Sequence, residues 1–126
     1  MTIDEQIEYW ITTAENDLPV AENLFNNGHY LWCLYLGHLI LEKIIKAHYV
    51  KDNRQTPPKT HDLLKLSEKT KIALTENHKL FLDEMNDYQL ETRYPDYKFS
   101  LQKSLDVDST RQKFNPECSL EKKKFC

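Results

Sequence analysis

YLWCLYLGHLILEKIIKAHYV, residues 30–50, decides the fold. From Tyr30 to Leu41 the run is apolar except for Gly37 and His38. A membrane-crossing helix needs roughly 20 such residues, so this stretch predicts a buried helix and no membrane span. A helix that is apolar nearly all round must be covered on more than one side. It is therefore the central helix of a bundle, or it also lines a subunit contact. The second half, EKIIKAHYV, turns one-sided, with Ile44, Ile45, Ala47 and His48 alternating with Glu42, Lys43 and Lys46.

Upstream of that helix, Thr2 and Glu5 have the spacing of a capping box. Ile3, Ile7, Trp10, Ile11, Ala14, Leu18, Ala21 and Phe25 then recur at steps of three and four, the stripe of an amphipathic helix. Pro19 falls inside the stripe and lacks the amide that would bond back to Glu15, which predicts a kink. Asn26-Asn27-Gly28 ends this helix, with Gly28 in a left-handed conformation. Downstream, KDNRQTPPKT reads as a loop, because Pro57-Pro58 cannot continue a helix and each holds its predecessor extended. Thr60 is expected to cap a short helix, HDLLKLSEK, with Leu63, Leu64 and Leu66 inward. Thr75 is expected to cap another, ENHKLFLDEMNDYQLE. There Leu82, Met85 and Gln89 share one side, and Phe81 and Tyr88 another. After the extended segment TRYPDY, Asp108 is placed to cap a last helix that carries Phe114, Cys118 and Phe125 and is interrupted by Pro116.

The chain has 126 residues, enough for one domain spanning 1–126 and too few for two ordinary cores. It holds only two glycines, whereas all-β folds draw on many glycine-bearing turns. The fold expected is therefore all-α, an up-and-down bundle of four to five helices. The first ten residues, MTIDEQIEYW, carry acids and no basic region, unlike a signal peptide. The three cysteines (Cys33, Cys118 and Cys126) lack C-x-x-C spacing, and Cys33 sits in the apolar run. This pattern predicts a reducing cytoplasm and no disulfide framework.

Net charge is −3, but its distribution is uneven. Residues 1–42 contain seven acids and no Lys or Arg. Residues 43–71 contain eight bases (Lys43, Lys46, Lys51, Arg54, Lys59, Lys65, Lys69 and Lys71) against three acids, Asp52, Asp62 and Glu68. Such a basic middle offers a face to phosphates, or it is simply a set of solvated helix faces.

Four stretches together resemble a known family. In the first helix Trp10, Ala14, Asp17, Leu18, Ala21 and Leu24 fit W-x3-A-x2-DL-x2-A-x2-L. HLILEKIIKAHY fits an apolar run followed by EK-x2-KA. THDLLKL follows a proline-bearing loop, and TRYP comes one helix later. The pattern is similar to the HEPN domain, named for higher eukaryotes and prokaryotes, nucleotide-binding. The resemblance is strongest over residues 8–97, and the tail at 101–126 is atypical. It implies a helical bundle, often dimeric, with several functional types. Some members are metal-independent ribonucleases, frequently toxins of toxin–antitoxin systems. Others work beside a minimal nucleotidyltransferase, and others bind nucleotides or act as non-catalytic structural subunits.

Ribonuclease members use an Arg and a His with four to six residues between them near the last helix, a cation for phosphoryl oxygens and an imidazole for proton transfer. Arg93 lies in the matching region, but YPDYKFSLQ follows it without a histidine. Arg54 and His61 have the spacing but bracket the Pro57-Pro58 loop. The catalytic candidates are thus Arg54, His61 and Arg93, and the reading leans away from an enzyme. The candidates for nucleotide or RNA binding are Lys46, His61, Arg93 and Tyr94. His61 would contact a phosphate or base at a helix start, or dock the helix structurally. Arg93 would supply a guanidinium and Tyr94 a stacking ring, or Arg93 would pair with an acid such as Asp17. Lys43 reads as the partner of a neighbouring acid. The histidines have no ligand-spaced neighbours, so no metal or cofactor is expected. The partners expected are a second copy of the chain, a nucleotide or RNA, and a minimal nucleotidyltransferase.

Overall fold

The computed structural model describes residues 1–88. These form four α-helices and one 3-10 turn: α1 (Ile3–Asn26), α2 (Tyr30–Asn53), α3 (Leu63–Glu68), α4 (Glu76–Met85) and a 3-10 turn at Asn86–Tyr88. No strand occurs among the described residues, and the all-α bundle is as expected.

The ends of α1 follow from its sequence. Thr2 Oγ1 accepts the Glu5 amide at 3.1 Å, and the Glu5 carboxylate accepts the Thr2 amide at 3.5 Å, closing the capping box. At the other end Gly28 has φ +80. The His29 amide donates to Leu24 O at 2.9 Å, and the Gly28 amide donates to Phe25 O at 3.1 Å. This pair of bonds is the Schellman stop, which satisfies carbonyls that α1 leaves open. The helix runs unbroken through Pro19.

The stop at Gly28 sends α2 back along α1. Lys43 pairs with Asp17, and Lys46 lies 5.2 Å from the Trp10 ring centroid. Positions further along α2 meet positions earlier in α1, so the two helices are antiparallel. Ala14 and Ala21 of α1 are fully covered against Cys33, Ile40 and Ile44 of α2, their small side chains letting the backbones approach. The opposite side of α2 presents Leu31, Leu34, Leu41 and Ile45 to Leu63 and Leu66 of α3 and to Leu82, Met85 and Tyr88. Two apolar clusters on two sides make α2 the central helix, as its all-round apolar first half predicts.

The loop after α2 has an unusual task. Arg54 ends α2 in the left-handed region at φ 55. His61 nevertheless sits beside Glu42, three turns back along α2. That return covers about 18 Å of helix axis. Seven residues reach about 25 Å only when nearly extended. Pro57-Pro58 holds the segment extended, so it retraces α2 before α3 begins. The helix α3 then runs parallel to α2, since Lys69 O accepts from Asn53 Nδ2 at 2.9 Å. The helix α4 returns antiparallel to α3, bringing Asn86 to Asp62.

Three local expectations need correction. The cap of α3 is Asp62, whose carboxylate accepts the Lys65 amide at 3.2 Å. Thr60 instead accepts the Asp62 amide through Oγ1 at 3.2 Å, two residues too early to cap the helix. Within α3, Leu63 and Leu66 are buried and Leu64 is half-buried, because a six-residue helix turns only one edge inward. Tyr88 shares the buried side with Leu82 and Met85. The reason is the 3-10 turn, in which residues three apart eclipse. Gln89 and the expected last helix lie outside the described residues.

Candidate functional site

His38, Glu42 and Lys46 stand four residues apart on α2, one polar row on a helix otherwise covered by apolar side chains. All three are buried, Lys46 at 7 % and Glu42 at 5 % exposure. Burying ions is costly unless each is paired. The pairing is complete at Glu42. Its Oε2 accepts from Lys46 Nζ at 3.0 Å, and its Oε1 accepts from His61 Nδ1 at 2.8 Å. Trp10 from α1 covers Lys46 with its ring face, where the quadrupole favours a cation.

His38 holds the other side of His61. Its Nε2 lies 3.0 Å from the His61 carbonyl oxygen. A carbonyl only accepts, so His38 carries its proton on Nε2. Its Nδ1 is buried, and a hydrogen bond from the Asn86 side chain also acts on the ring. Burial pushes the His38 pKa below the ordinary imidazole value; the negative charge of Glu42 opposes that shift without overcoming it. His38 is thus held neutral.

Asn86 anchors the next residues. Its Oδ1 accepts the Leu63 amide at 3.0 Å and its Nδ2 donates to Asp62 at 3.1 Å. His61 is therefore fixed through its ring by Glu42, through its carbonyl by His38, and through its C-terminal neighbours by Asn86. Its side chain nevertheless remains 43 % exposed. A carboxylate on Nδ1 sets the ring's tautomer. Nε2 of the neutral ring is then an acceptor, and protonation turns it into a donor.

The sequence candidates fall into three groups. Lys46 and His61 come together on one carboxylate, with Lys46 committed to Glu42 and Trp10 inside the bundle. Arg54 is exposed at the end of α2, two turns beyond Lys46 and about 12 Å along the axis. Arg93 and Tyr94 lie outside the described residues. Lys43 pairs with Asp17, as its reading anticipates. Glu42 and His38 were missed as site residues. Their signal was legible in the i, i+4, i+8 spacing of polar residues within an apolar helix.

Among the described residues no group of three or more His, Cys, Asp or Glu side chains is placed to hold a metal ion. No described helix is long and apolar enough to cross a membrane.

A bundle with an antiparallel helix pair, a returning proline loop and a histidine held at its edge defines a helical domain with one organised polar centre. The HEPN domain model matches residues 7–114, most of the chain, and the chain belongs to the HEPN domain family. The match reaches further into the tail than the quoted motifs do. Neither the comparison with curated proteins nor that with solved structures gives a significant match. Membership supports a nucleotide- or RNA-related module in general terms.

Proposed function

We propose that this chain is a nucleotide- or RNA-associated binding module in which His61 meets the ligand. The observation that carries the reading is that Glu42 grips the His61 ring from inside while the ring stays substantially exposed. Lys46 acts one step removed, by balancing the charge of Glu42. Neutral His61 would accept from a ribose hydroxyl or base amine, and protonated His61 would donate to phosphate. Arg93 and Tyr94 are proposed to add a guanidinium and a stacking ring. Two copies are proposed to associate, and a minimal nucleotidyltransferase is the proposed partner; a gene for one adjacent to this one would support that pairing.

The test is titration of ATP, GTP and short RNA against the purified chain at low salt, followed by fluorescence or calorimetry. Saturable binding that His61→Ala weakens supports the reading. Flat curves for every ligand overturn it.

A second reading is favoured by the same dyad. An imidazole oriented by a carboxylate is equipped for proton transfer. A metal-independent ribonuclease would use it with a cation from Arg54 or Arg93. Cleavage of labelled RNA in EDTA, lost in a folded His61→Ala variant, would select this reading over simple binding.

A further inference from the structure

The helices α2 and α3 stop at the same end of the bundle, and side-chain bonds tie their ends together. Asn53 Nδ2 donates to Lys69 O at 2.9 Å, and the Lys71 amide donates to Asp52 Oδ2 at 2.7 Å. These tethers gather Lys51 and Arg54 from α2 with Lys69 and Lys71 from the segment after α3. Lys65 stands four residues before Lys69 on α3, the same face of that helix and about 6 Å along its axis. All five cations are exposed. The other three bases of the 43–71 segment differ: Lys43 and Lys46 are spent on Asp17 and Glu42, and Lys59 lies on the returning loop.

The local acids offset this set only in part. Asp52, whose carboxylate accepts the Lys71 amide, and Asp62, which caps α3, both keep their negative charge. Glu68 is the remaining acid of the segment. The C-terminal dipole of α2 contributes about half a negative charge. Five cations exceed the three acids and that dipole together.

We propose that this end of the bundle binds the phosphodiester backbone of a nucleic-acid strand through Lys51, Arg54, Lys65, Lys69 and Lys71. The α3 row leads from this end toward His61, so a strand laid along α3 carries a nucleotide to the proposed site. The inference rests on the nucleotide- or RNA-associated reading for the choice of polyanion, but it uses different residues. A lipid surface fits less well. Membrane-surface segments join bases to inserting apolar side chains. Among the described residues the exposed large apolar side chains are Met1, Tyr9, Val20, Trp32 and Leu80, none of them within 51–71.

Backbone contacts carry no sequence information, so binding is indifferent to base sequence and to sugar. Five phosphate contacts give a salt slope of about −3 to −4 for a single strand, or roughly a 100-fold loss of affinity between 50 and 200 mM salt. The experiment is fluorescence anisotropy of the full chain with labelled RNA and DNA strands of about 12 nucleotides. Arg54→Glu, Lys65→Glu, Lys69→Glu and Lys71→Glu are each compared with Lys79→Glu. Lys79 lies on α4, pairs with Glu76, and gives the same change in net charge. The four patch variants should each weaken binding and reduce the salt slope by about 1, with Lys79→Glu near wild type. Equal losses in all five variants would overturn the patch, as would RNA binding with no salt dependence. Binding to anionic vesicles with no binding to RNA would overturn it too. His61→Ala separates the two ideas. If mononucleotides fail to bind while strands bind through the patch, the His61 reading falls and the patch stands. If mononucleotides bind through His61 and strands gain nothing from the patch cations, the patch falls alone.

Discussion

At the scale of single residues, Glu42 has the largest consequences. It is the acceptor for both Lys46 and His61, and in the sequence only its place in the polar row with His38 and Lys46 marks it. Removing it strands the Lys46 ammonium in the bundle. Breaking a buried ion pair by deleting one partner costs about 3–5 kcal/mol, and the Trp10 ring offsets part of that here. Glu42→Ala should therefore lower stability by about 3 kcal/mol in urea unfolding, and Glu42→Ala with Lys46→Met should recover part of the loss. A loss under about 1 kcal/mol would show that the cluster contributes little. His38 sets a pH dependence. Its folded pKa is depressed, so below the ordinary imidazole value the unfolded chain takes up a proton that the folded chain refuses. Stability is full above about pH 6.5 and falls as the pH drops toward the folded value. The slope is at most about 1.4 kcal/mol per pH unit for this one group. Urea unfolding at stepped pH should show that fall in the wild type and a shallower one in His38→Gln. An identical profile in both would remove His38 as the cause.

At the scale of elements, the turn at Gly28 determines the α1–α2 pairing. Space is not the constraint there, because a Cβ at Gly28 would meet nothing within 4 Å. The constraint is the backbone, at φ +80. Gly28→Ala should cost about 1–2 kcal/mol through the left-handed penalty alone. Gly28→Asn should cost less, because asparagine tolerates that region. Thermal unfolding of the two variants measures the difference, and an Ala variant as stable as wild type would contradict the Schellman assignment. The proline loop works in the opposite sense, by being stiff. Its extended path is what places His61 beside Glu42 and not at the far end of α2.

At the scale of the whole molecule, the first half of α2 is mostly covered, yet Trp32 stays 55 % exposed with Tyr35 packed edge-on against it. Tyr9 on α1 is also exposed, while Trp10 and Phe25 are half-buried. Large exposed aromatic residues on a central helix suit a two-fold contact between copies. Light scattering at low micromolar concentration should give twice the 15.0 kDa chain mass, and Trp32→Glu should return it to a single chain. A wild-type mass of 15.0 kDa would refute the dimer.

The sequence by itself determined the described helices, the capped start and glycine stop of α1, and the burial of α2. Each of these depends on residues a few positions apart: Thr2 with Glu5, Gly28 after Asn27, and the unbroken apolar run from Tyr30. Short-range hydrogen bonds and helical periodicity are local, so a linear reading captures them. The same reading placed the α3 cap at Thr60, because Thr60 and Asp62 both have capping side chains and only the path of the loop chooses between them. It paired Asp17 with Arg93 as one option, where the antiparallel packing brings Lys43. The polar row of His38, Glu42 and Lys46 was visible as a spacing. Its meaning was not, since Trp10 comes from α1 and His61 from beyond the proline loop. Only the tertiary structure decided that they meet, because their contact depends on how α2 folds back on α1 and how an extended segment retraces α2. Those are long-range consequences of burying two apolar sides of one helix at once.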